Sequence, residues 1–313
     1  MILLGSELRG GGDPAPLVRL AGEAGFVGIA LAPWCSRSRA VDLATAAAAA
    51  GLAVPVAAAP LLDTVPLPPG KRLPFLASVD DPEERRAAVD LFDKALAAAV
   101  PLGVGLFTVS FGDIPLGVAP TEVRRRFQRR EMDEDEPGAT LLAAAFSERR
   151  ARSPGILDAC RFSLDLLVPL AERAGVVVAI EVSGGPWGAP TPREVAVLLE
   201  EYREAPLGVV WDDARLHVLW NLGAAPQKER ALQLAAATRL RRANEAVGLD
   251  VGFLPGQGDS GHASVGISPP SSAPIVVSGR PDSTLDELRR ARALATPREE
   301  PKKPPAESGG RGA

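Results

Sequence analysis

Residues 170–217 have the sequence LAERAGVVVAIEVSGGPWGAPTPREVAVLLEEYREAPLGVVWDDARLH, and this stretch decides the fold. It predicts a helix end, a buried strand ending in Glu181, a loop, a capped helix and a second buried strand ending in Asp212. Ligands of parallel α/β sheets bind beyond the carboxyl ends of the strands. Because a buried acid without a partner is costly, the two carboxylates are candidate functional residues. The alternative is that both are ordinary loop acids that follow strands.

The same unit of helix, glycine and strand recurs along the chain. Ala-Gly junctions at 24–25, 50–51 and 174–175 each precede a run of small and β-branched residues. Glycine suits such a joint because the residue after a helix often adopts a left-handed conformation. Helices that alternate with strands imply parallel pairing. Eight strands are predicted, at 2–4, 26–32, 52–59, 104–111, 176–181, 207–211, 238–244 and 275–277.

This pattern predicts an α/β fold, a single-domain (β/α)8 TIM barrel over residues 1–295. An open doubly wound sheet is the alternative. A dinucleotide-binding fingerprint would favour that sheet, but the Gly-rich turns of the chain do not lie between a strand and a helix in the required order.

Two stretches depart from the repeating unit. Residues 112–154 are predicted to be an irregular charged excursion, with the basic block 124–130 followed by the acidic block 131–136. Basic runs can bind phosphate, but here the adjacent acids can pair with the arginines, so we expect a solvated lid or a partly disordered segment. Residues 296–313 have too little apolar surface to fold and are predicted to be a disordered tail.

Composition excludes several classes of function. The chain has 313 residues, 35 basic and 39 acidic, and the net charge of -4 gives no field to attract nucleic acid or an anionic membrane. No apolar run reaches the ~20 residues that a membrane helix needs, and no secretory signal is visible, so we expect a soluble, cytoplasmic protein. The two histidines exclude a histidine-rich mechanism.

Three motifs, in this order and at this spacing, resemble the xylose isomerase-like barrel superfamily, which contains sugar phosphate isomerases and epimerases and the related apurinic endonucleases. The VVVAIEV strand resembles the family strand that ends in a metal-binding Glu. LGVVWDDARLH resembles the strand that ends in Asp-x-x-His, and LPGQGD resembles the turn after the seventh strand. The similarity covers nearly all of the barrel.

The resemblance implies one divalent metal ion, Mn²⁺ or Mg²⁺, held by Glu, Asp, His and Glu on successive strands. Glu181 takes the first position and Asp212 the second. The third falls at Asn244 and the fourth near Ser278, while Arg215 stands where the family has His after the Asp. The implied site is therefore degenerate, and it is weak or absent, because an amide and two carboxylates hold such ions poorly.

Arg215 suggests a second account that needs no metal. Its guanidinium is always cationic and could lie between Glu181 and Asp212, supplying the positive charge of the ion. Glu245 or Asp259 could alternatively replace the missing ligands.

Further candidates follow other strands. Trp34 and Trp187 could stack on a sugar face, although core or loop packing explains them equally well. Glu7 faces the barrel mouth if the first strand is correctly placed. His217 is expected to be structural. His262 resembles the Asp-x-His of apurinic endonucleases, where it helps to hold a second metal.

The resemblance implies a sugar phosphate isomerase/epimerase-like barrel that acts on a small sugar or polyol by carboxylate proton transfer. Glu181 and Asp212 are the expected catalytic residues, and Arg215, Trp34, Trp187 and Glu7 the expected substrate contacts. The alternative is a non-catalytic barrel that binds a small polyol or a protein partner. Apurinic endonuclease activity is opposed by the two histidines and the acidic balance.

Overall fold

A computed structural model describes residues 1–6, 13–32, 35–61, 73–258, 270, 272–279 and 282–296. Parallel strands close into a barrel in the order β1-β10-β7-β6-β5-β4-β3-β2, which confirms the predicted (β/α)8 fold and excludes the open sheet. The barrel strands are β1 (Ile2–Gly5), β2 (Gly28–Leu31), β3 (Ala53–Ala59), β4 (Leu106–Val109), β5 (Val177–Glu181), β6 (Leu207–Asp212), β7 (Thr238–Ala243) and β10 (Ile275–Val277).

Helices cover the outside of the barrel. They are α1 (Ala15–Glu23), α2 (Arg37–Ala49), α3 (Pro82–Ala99), α4 (Pro120–Gln128), α5 (Pro137–Ala174), α6 (Pro192–Glu201), α7 (Asp213–Asn221), α8 (Lys228–Ala236) and α9 (Leu285–Ala295). The capped helix predicted before the sixth strand is α6, which begins with a complete capping box of Thr191 and Glu194, and Thr284 and Glu287 form a second capping box at the start of α9.

Most of the barrel strands are apolar on both faces because each lies between the helices and the barrel interior, whereas β7 carries Arg239, Arg241 and Arg242. One residue of each strand forms an interior apolar layer, namely Leu3, Ala30, Val56, Leu106, Ala179, Val210, Leu240 and Val276. Since side chains alternate along a strand, the residue two positions later points to the same interior, nearer the carboxyl ends. This layer therefore sets which side chains meet at the barrel mouth.

The excursion predicted at 112–154 is not irregular, because it contains α4 and the first part of α5. Pro120 and Pro137 lie at the first helical positions, where proline is favoured. The opposite charges do pair as expected: Arg126 contacts Glu122 at 3.1 Å and Glu131 at 2.6 Å. Local ion pairs and N-terminal prolines thus order a segment whose composition suggested a loop.

Two elements near the mouth were not predicted from the sequence. Helix α7 begins directly after β6, and a short antiparallel hairpin joins β8 (Glu245–Val247) to β9 (Asp250–Phe253). The disordered tail expected at 296–313 lies outside the described residues, except for Thr296, and the domain boundary at 295 stays a prediction.

In the part of the chain described here, no helix combines the length and the apolarity needed to cross a lipid bilayer.

Candidate functional site

Polar side chains form a second interior layer above the apolar one, at the carboxyl ends of the strands. Glu181 follows Ala179 by two positions, and Asp212 follows Val210 in the same way. The same alternation brings Thr108, Arg242 and Ser278 to this layer. On the other side of the barrel the corresponding residues are alanines, Ala32 and Ala58, and the small side chains leave a cavity of about 290 Å³ in the mouth.

Arg242 joins the two predicted acids. Its Nη2 donates a hydrogen bond to Glu181 Oε1 at 2.8 Å, and its Nη1 donates to Asp212 Oδ2 at 3.1 Å. Both acids are buried, with relative exposures of 7% for Glu181 and 5% for Asp212. One guanidinium therefore bridges two carboxylates on neighbouring strands.

Arg215 contacts the same two acids from the first turn of α7. Its Nη2 lies 2.9 Å from Glu181 Oε2, and its Nε lies 3.7 Å from Asp212 Oδ2. A second nitrogen, Nη1, donates to the carbonyl oxygen of Val182 at 3.3 Å. The position between both acids is the one that the metal-free account required of this residue. We call Glu181, Asp212, Arg215 and Arg242 the mouth cluster.

The Asp212 side chain also caps a helix. Its Oδ1 accepts a hydrogen bond from the backbone N–H of Arg215 at 3.0 Å, so Asp212 is the N-cap of α7. Asn244 assists at the same helix start, because its Oδ1 accepts from the backbone N–H of Ala214 at 3.2 Å.

The surroundings of Glu181 hold it in the charged form. Burial alone would raise its pKa, but the charges of Arg242 and Arg215 and the hydrogen bonds from Arg242 and Thr108 lower the pKa well below the usual range of a glutamate. The Thr108 hydroxyl contributes at 3.3 Å. Glu181 is therefore ionised at neutral pH and has little tendency to accept a proton.

Arg242 was missed in the sequence interpretation, which placed a metal ligand at Asn244 instead. The signal was present: Arg242 is two residues beyond Leu240 on β7, so strand alternation directs its side chain into the barrel. The resemblance to the family motif placed the metal ligand after the end of β7, at Asn244, whose side chain instead accepts a hydrogen bond at the start of α7.

A divalent ion does not fit the donor set as it stands. All four carboxylate oxygen atoms of the two acids already have partners. Glu181 Oε1 accepts from Arg242 and Thr108, and Glu181 Oε2 contacts the guanidinium group of Arg215. Asp212 Oδ1 accepts from the backbone N–H of Arg215, and Asp212 Oδ2 accepts from Arg242. Glu245, considered as a substitute ligand, accepts from the backbone N–H of Gly258 at 2.6 Å. Within the described ranges no group of three or more His, Cys, Asp or Glu residues is arranged to hold a metal.

The other predicted contacts have mixed outcomes. Trp187 lines a large cavity at the mouth, but it also packs in a small apolar cluster and its Nε1 donates to the Val118 carbonyl at 2.6 Å. His217 is half-buried in α7. Glu7, Trp34, Asp259 and His262, which were also predicted as candidates, lie outside the described residues.

This large cavity has a volume of about 1060 Å³. Its wall includes Glu181 and Arg215 of the mouth cluster together with Ser183, Trp187 and Asp113. Small-molecule sites typically occupy ~300–1,000 Å³ and combine apolar walls with a few placed polar groups. The cavity is thus suited to a small polar molecule.

Asp113 in the loop after β4 was not anticipated from the sequence. The residue is exposed, but partial desolvation against the cavity wall raises the pKa of its carboxyl group, and the positive charge of Arg215 opposes this effect. Its shift is opposite in direction to that of Glu181. Asp113 lies four residues beyond the end of β4, so the alternation of side chains along the strand does not predict where it points.

The fold resembles solved sugar epimerases. 3-Keto-D-glucoside 4-epimerase from E. coli, in its apo form, matches with a TM-score of 0.63 at 14% identity, covering 94% of this chain and 98% of that one. D-Allulose 3-epimerase from Methylomonas sp., in complex with D-allulose, matches with a TM-score of 0.60 at 12% identity, covering 94% and 93%.

D-Psicose 3-epimerase from Clostridium cellulolyticum H10, with D-tagatose, matches with a TM-score of 0.58 at 13% identity, covering 94% of this chain and 96% of that one. At such identities the likeness concerns the fold. A comparison with curated protein sequences gives no match.

The sequence profile described as xylose isomerase-like TIM barrel matches residues 18–240. The match runs from α1 into β7 and includes both strands that end in the mouth acids. Since it comprises more than half of the 313 residues, the chain belongs to the xylose isomerase-like TIM barrel family.

Proposed function

We propose that this protein binds a small sugar or polyol at the carboxyl ends of the barrel strands, and that it does so without a divalent metal. The observation that carries the proposal is the pairing within the mouth cluster. Two fixed guanidinium groups take the oxygen atoms of Glu181 and Asp212 that an ion would require. Two negative and two positive charges cancel, so the cluster has no net charge that would attract a cation.

The same pairing argues against proton transfer by Glu181. A general base works best when its pKa lies near the operating pH. The pKa of Glu181 is held well below the usual range by Arg242, Arg215 and Thr108. The carboxylate therefore orients the arginines instead of removing a proton from carbon.

Ligand binding is supported by the two adjoining spaces at the mouth. The inner cavity of about 290 Å³ contacts the mouth cluster and Ser278, and the outer cavity of about 1060 Å³ adds Ser183, Asp113 and Trp187. The Ser278 hydroxyl is buried and has no hydrogen-bond partner among the described residues. Hydroxyl and carboxyl groups beside an aromatic side chain suit a polyhydroxylated ligand.

A second candidate is isomerisation or epimerisation of such a ligand by carboxylate proton transfer. It is favoured by family membership and by the retention of two acids at the ends of β5 and β6. It requires Arg242 and Arg215 to leave the carboxylates when substrate binds.

A thermal-shift screen separates the two. Purified protein is heated with Mn²⁺, Mg²⁺, Co²⁺ or Zn²⁺ at millimolar concentration, and separately with a set of ketoses, aldoses and polyols. We expect a sugar or polyol to raise Tm by mass action and the metals to leave Tm unchanged. A stoichiometric metal-dependent shift that disappears in Glu181→Gln would overturn the metal-free proposal.

Proton transfer is tested directly by NMR in D₂O. We expect the sugars that raise Tm to keep the proton on the carbon beside the carbonyl group during long incubation with the protein. Loss of that proton signal with wild-type protein, but not with Glu181→Gln, would establish the second candidate instead.

A further inference from the structure

We propose that Asp113 is the residue through which the outer cavity recognises its ligand, by accepting hydrogen bonds from a hydroxyl or ammonium group, and that the cavity selects unphosphorylated polyols and amino sugars. The inference rests on the proposed function, since it names the ligand class of the same site. It adds a specificity residue that lies outside the mouth cluster.

The backbone fixes Asp113 without using its side chain. Asp113 pairs with Gly188 in an isolated antiparallel bridge, which joins the loop after β4 to the loop after β5. Ile114 N–H donates to the Trp187 carbonyl and Ala189 N–H donates to the Gly112 carbonyl, on either side of this bridge. The Asp113 carboxyl group is thereby held in the cavity wall beside Trp187.

Gly112 shapes this loop. Its φ is +103°, a conformation that favours glycine, and a Cβ atom added there would lie 2.4 Å from the ring of Phe75. The positive φ allows the chain to turn immediately before Asp113, and the close packing against Phe75 leaves no room for a side chain at position 112. The position of the carboxyl group is thus a property of the folded loop.

Asp113 is a cavity carboxylate that is available to a ligand beside Trp187 and Arg215. Among the described residues its side chain has no hydrogen bond and no ion pair, although it lies within electrostatic reach of Arg215. By contrast, Glu181 is bound by two arginines. Asp113 is exposed to the cavity, and partial desolvation raises the pKa of its carboxyl group. The carboxylate is therefore accessible, and a ligand hydroxyl or ammonium group can replace water as its hydrogen-bond partner.

The arginines of the cavity wall are already paired. Arg124 lies 3.2 Å from Asp250, Arg152 lies 3.0 Å from Glu148, and Arg215 belongs to the mouth cluster. A phosphate group would have to displace one of these carboxylates. It would also face additional acids in the described part of the wall, namely Asp80, Asp81, Glu84 and Asp113. A phosphate dianion is therefore disfavoured, whereas a neutral or amine-bearing ligand is not.

The experiment compares wild-type protein with Asp113→Asn by isothermal titration with sorbitol, fructose, fructose phosphate and glucosamine. A matched control is Glu204→Gln, an exposed acid that precedes β6 and so lies toward the opposite end of the barrel. We expect wild-type protein to bind fructose or sorbitol more tightly than fructose phosphate. Asp113→Asn is expected to weaken binding by about 10-fold for the neutral ligands and by more for glucosamine.

A structural role predicts a different pattern. Because the Asp113 side chain has no hydrogen bond or ion pair among the described residues, Asp113→Asn should keep the wild-type Tm in the absence of ligand. Wild-type affinity in Asp113→Asn, or tighter binding of fructose phosphate than of fructose, would overturn this inference alone. If wild-type protein binds none of the four probes, the proposed function fails together with it.

Discussion

Two acid–arginine clusters in the described residues are both buried but have different surroundings. The mouth cluster joins Glu181 and Asp212 to two arginines at the carboxyl ends of the strands. The second cluster, here called the outer pair, joins Arg149 of α5 to Glu194 of α6 in the helical layer. Both clusters pair arginine with buried carboxylates, so the comparison shows how their location in the barrel changes what these ion pairs do.

The outer pair is a structural joint between α5 and α6. Two parallel hydrogen bonds of 2.9 and 2.6 Å connect the Arg149 guanidinium to the Glu194 carboxylate, and the Ser153 hydroxyl donates to the same carboxylate at 2.6 Å. Glu194 also accepts from the backbone N–H of Thr191 and so closes the capping box of α6. Side-chain exposure is only 4% and 2% for the two partners.

The mouth cluster is more open and shares its charges. Side-chain exposure is 31% for Arg215 and 17% for Arg242, and each arginine contacts both acids. The difference teaches that burial of an ion pair does not itself mark a functional site. Position at the carboxyl ends of the strands, inside the barrel mouth, separates the mouth cluster from a joint between helices.

The largest expected effect comes from breaking the outer pair. Arg149→Met leaves the buried Glu194 carboxylate without its cation, and we expect a loss of ~3–5 kcal/mol in the free energy of unfolding. Urea denaturation measures it. The matched control is Arg161→Met, since the Arg161–Glu201 pair is half-exposed and should contribute below ~1 kcal/mol. A similar small loss in both variants would show that the outer pair is not a structural joint.

The next effect distinguishes the two clusters by metal binding. Arg242→Met frees oxygen atoms of Glu181 and Asp212 at an accessible position, so we expect a loss of ~1–3 kcal/mol in the free energy of unfolding and a new rise in Tm with millimolar Mn²⁺. Arg149→Met should show no such rise. A Mn²⁺ response in wild-type protein, or none in Arg242→Met, would contradict the idea that Arg242 occupies the place of an ion.

Acid titration tests the lowered pKa of Glu181. Its folded-state pKa is lowered, so its contribution to stability is complete above the ordinary glutamate pKa of ~4.3 and is lost as the pH falls below that value. In Glu181→Gln we expect the fall in stability between about pH 5 and pH 3 to be less steep by up to ~1.4 kcal/mol per pH unit. Chemical denaturation across that range measures the slope, and identical slopes would refute the lowered pKa.

The smallest effects concern the hydroxyl groups beside each cluster. Ser153→Ala removes the 2.6 Å hydrogen bond to Glu194, and Thr108→Val removes the 3.3 Å hydrogen bond to Glu181. We expect losses of about 1.5 kcal/mol for the first and below about 1 kcal/mol for the second, because the first bond is short and the second is close to the upper limit of hydrogen-bond length. A reversed order in denaturation measurements would mean that the mouth cluster is the more tightly organised of the two.

The fold was predictable because its signal is periodic and local. Proline and threonine at the start of α6, glycine after α5 and the apolar runs of β5 and β6 each have a direct physical meaning. The same signals failed at 112–154, where ion pairs between adjacent blocks of charge favour helices that composition alone does not indicate.

The candidate site was only partly predictable. Glu181, Asp212 and Arg215 could be found because they end strands or follow them directly. Strand alternation after Leu240 directs Arg242 into the barrel, but its contact with Asp212 depends on the register of β7 against β6, which pairs the two residues across the sheet. Asp113 required a contact between two loops that are distant in sequence, and no local pattern encodes such a contact.

The double role of Asp212 has a consequence for the way its variants are interpreted. One of its oxygen atoms accepts the N-terminal hydrogen bond of α7 and the other contacts Arg242. Asp212→Ala would remove both interactions together, so a loss of ligand binding in that variant would not distinguish a binding role from a folding role. Asp212→Asn keeps an oxygen atom that can cap α7 and removes the charge, so it separates the two roles.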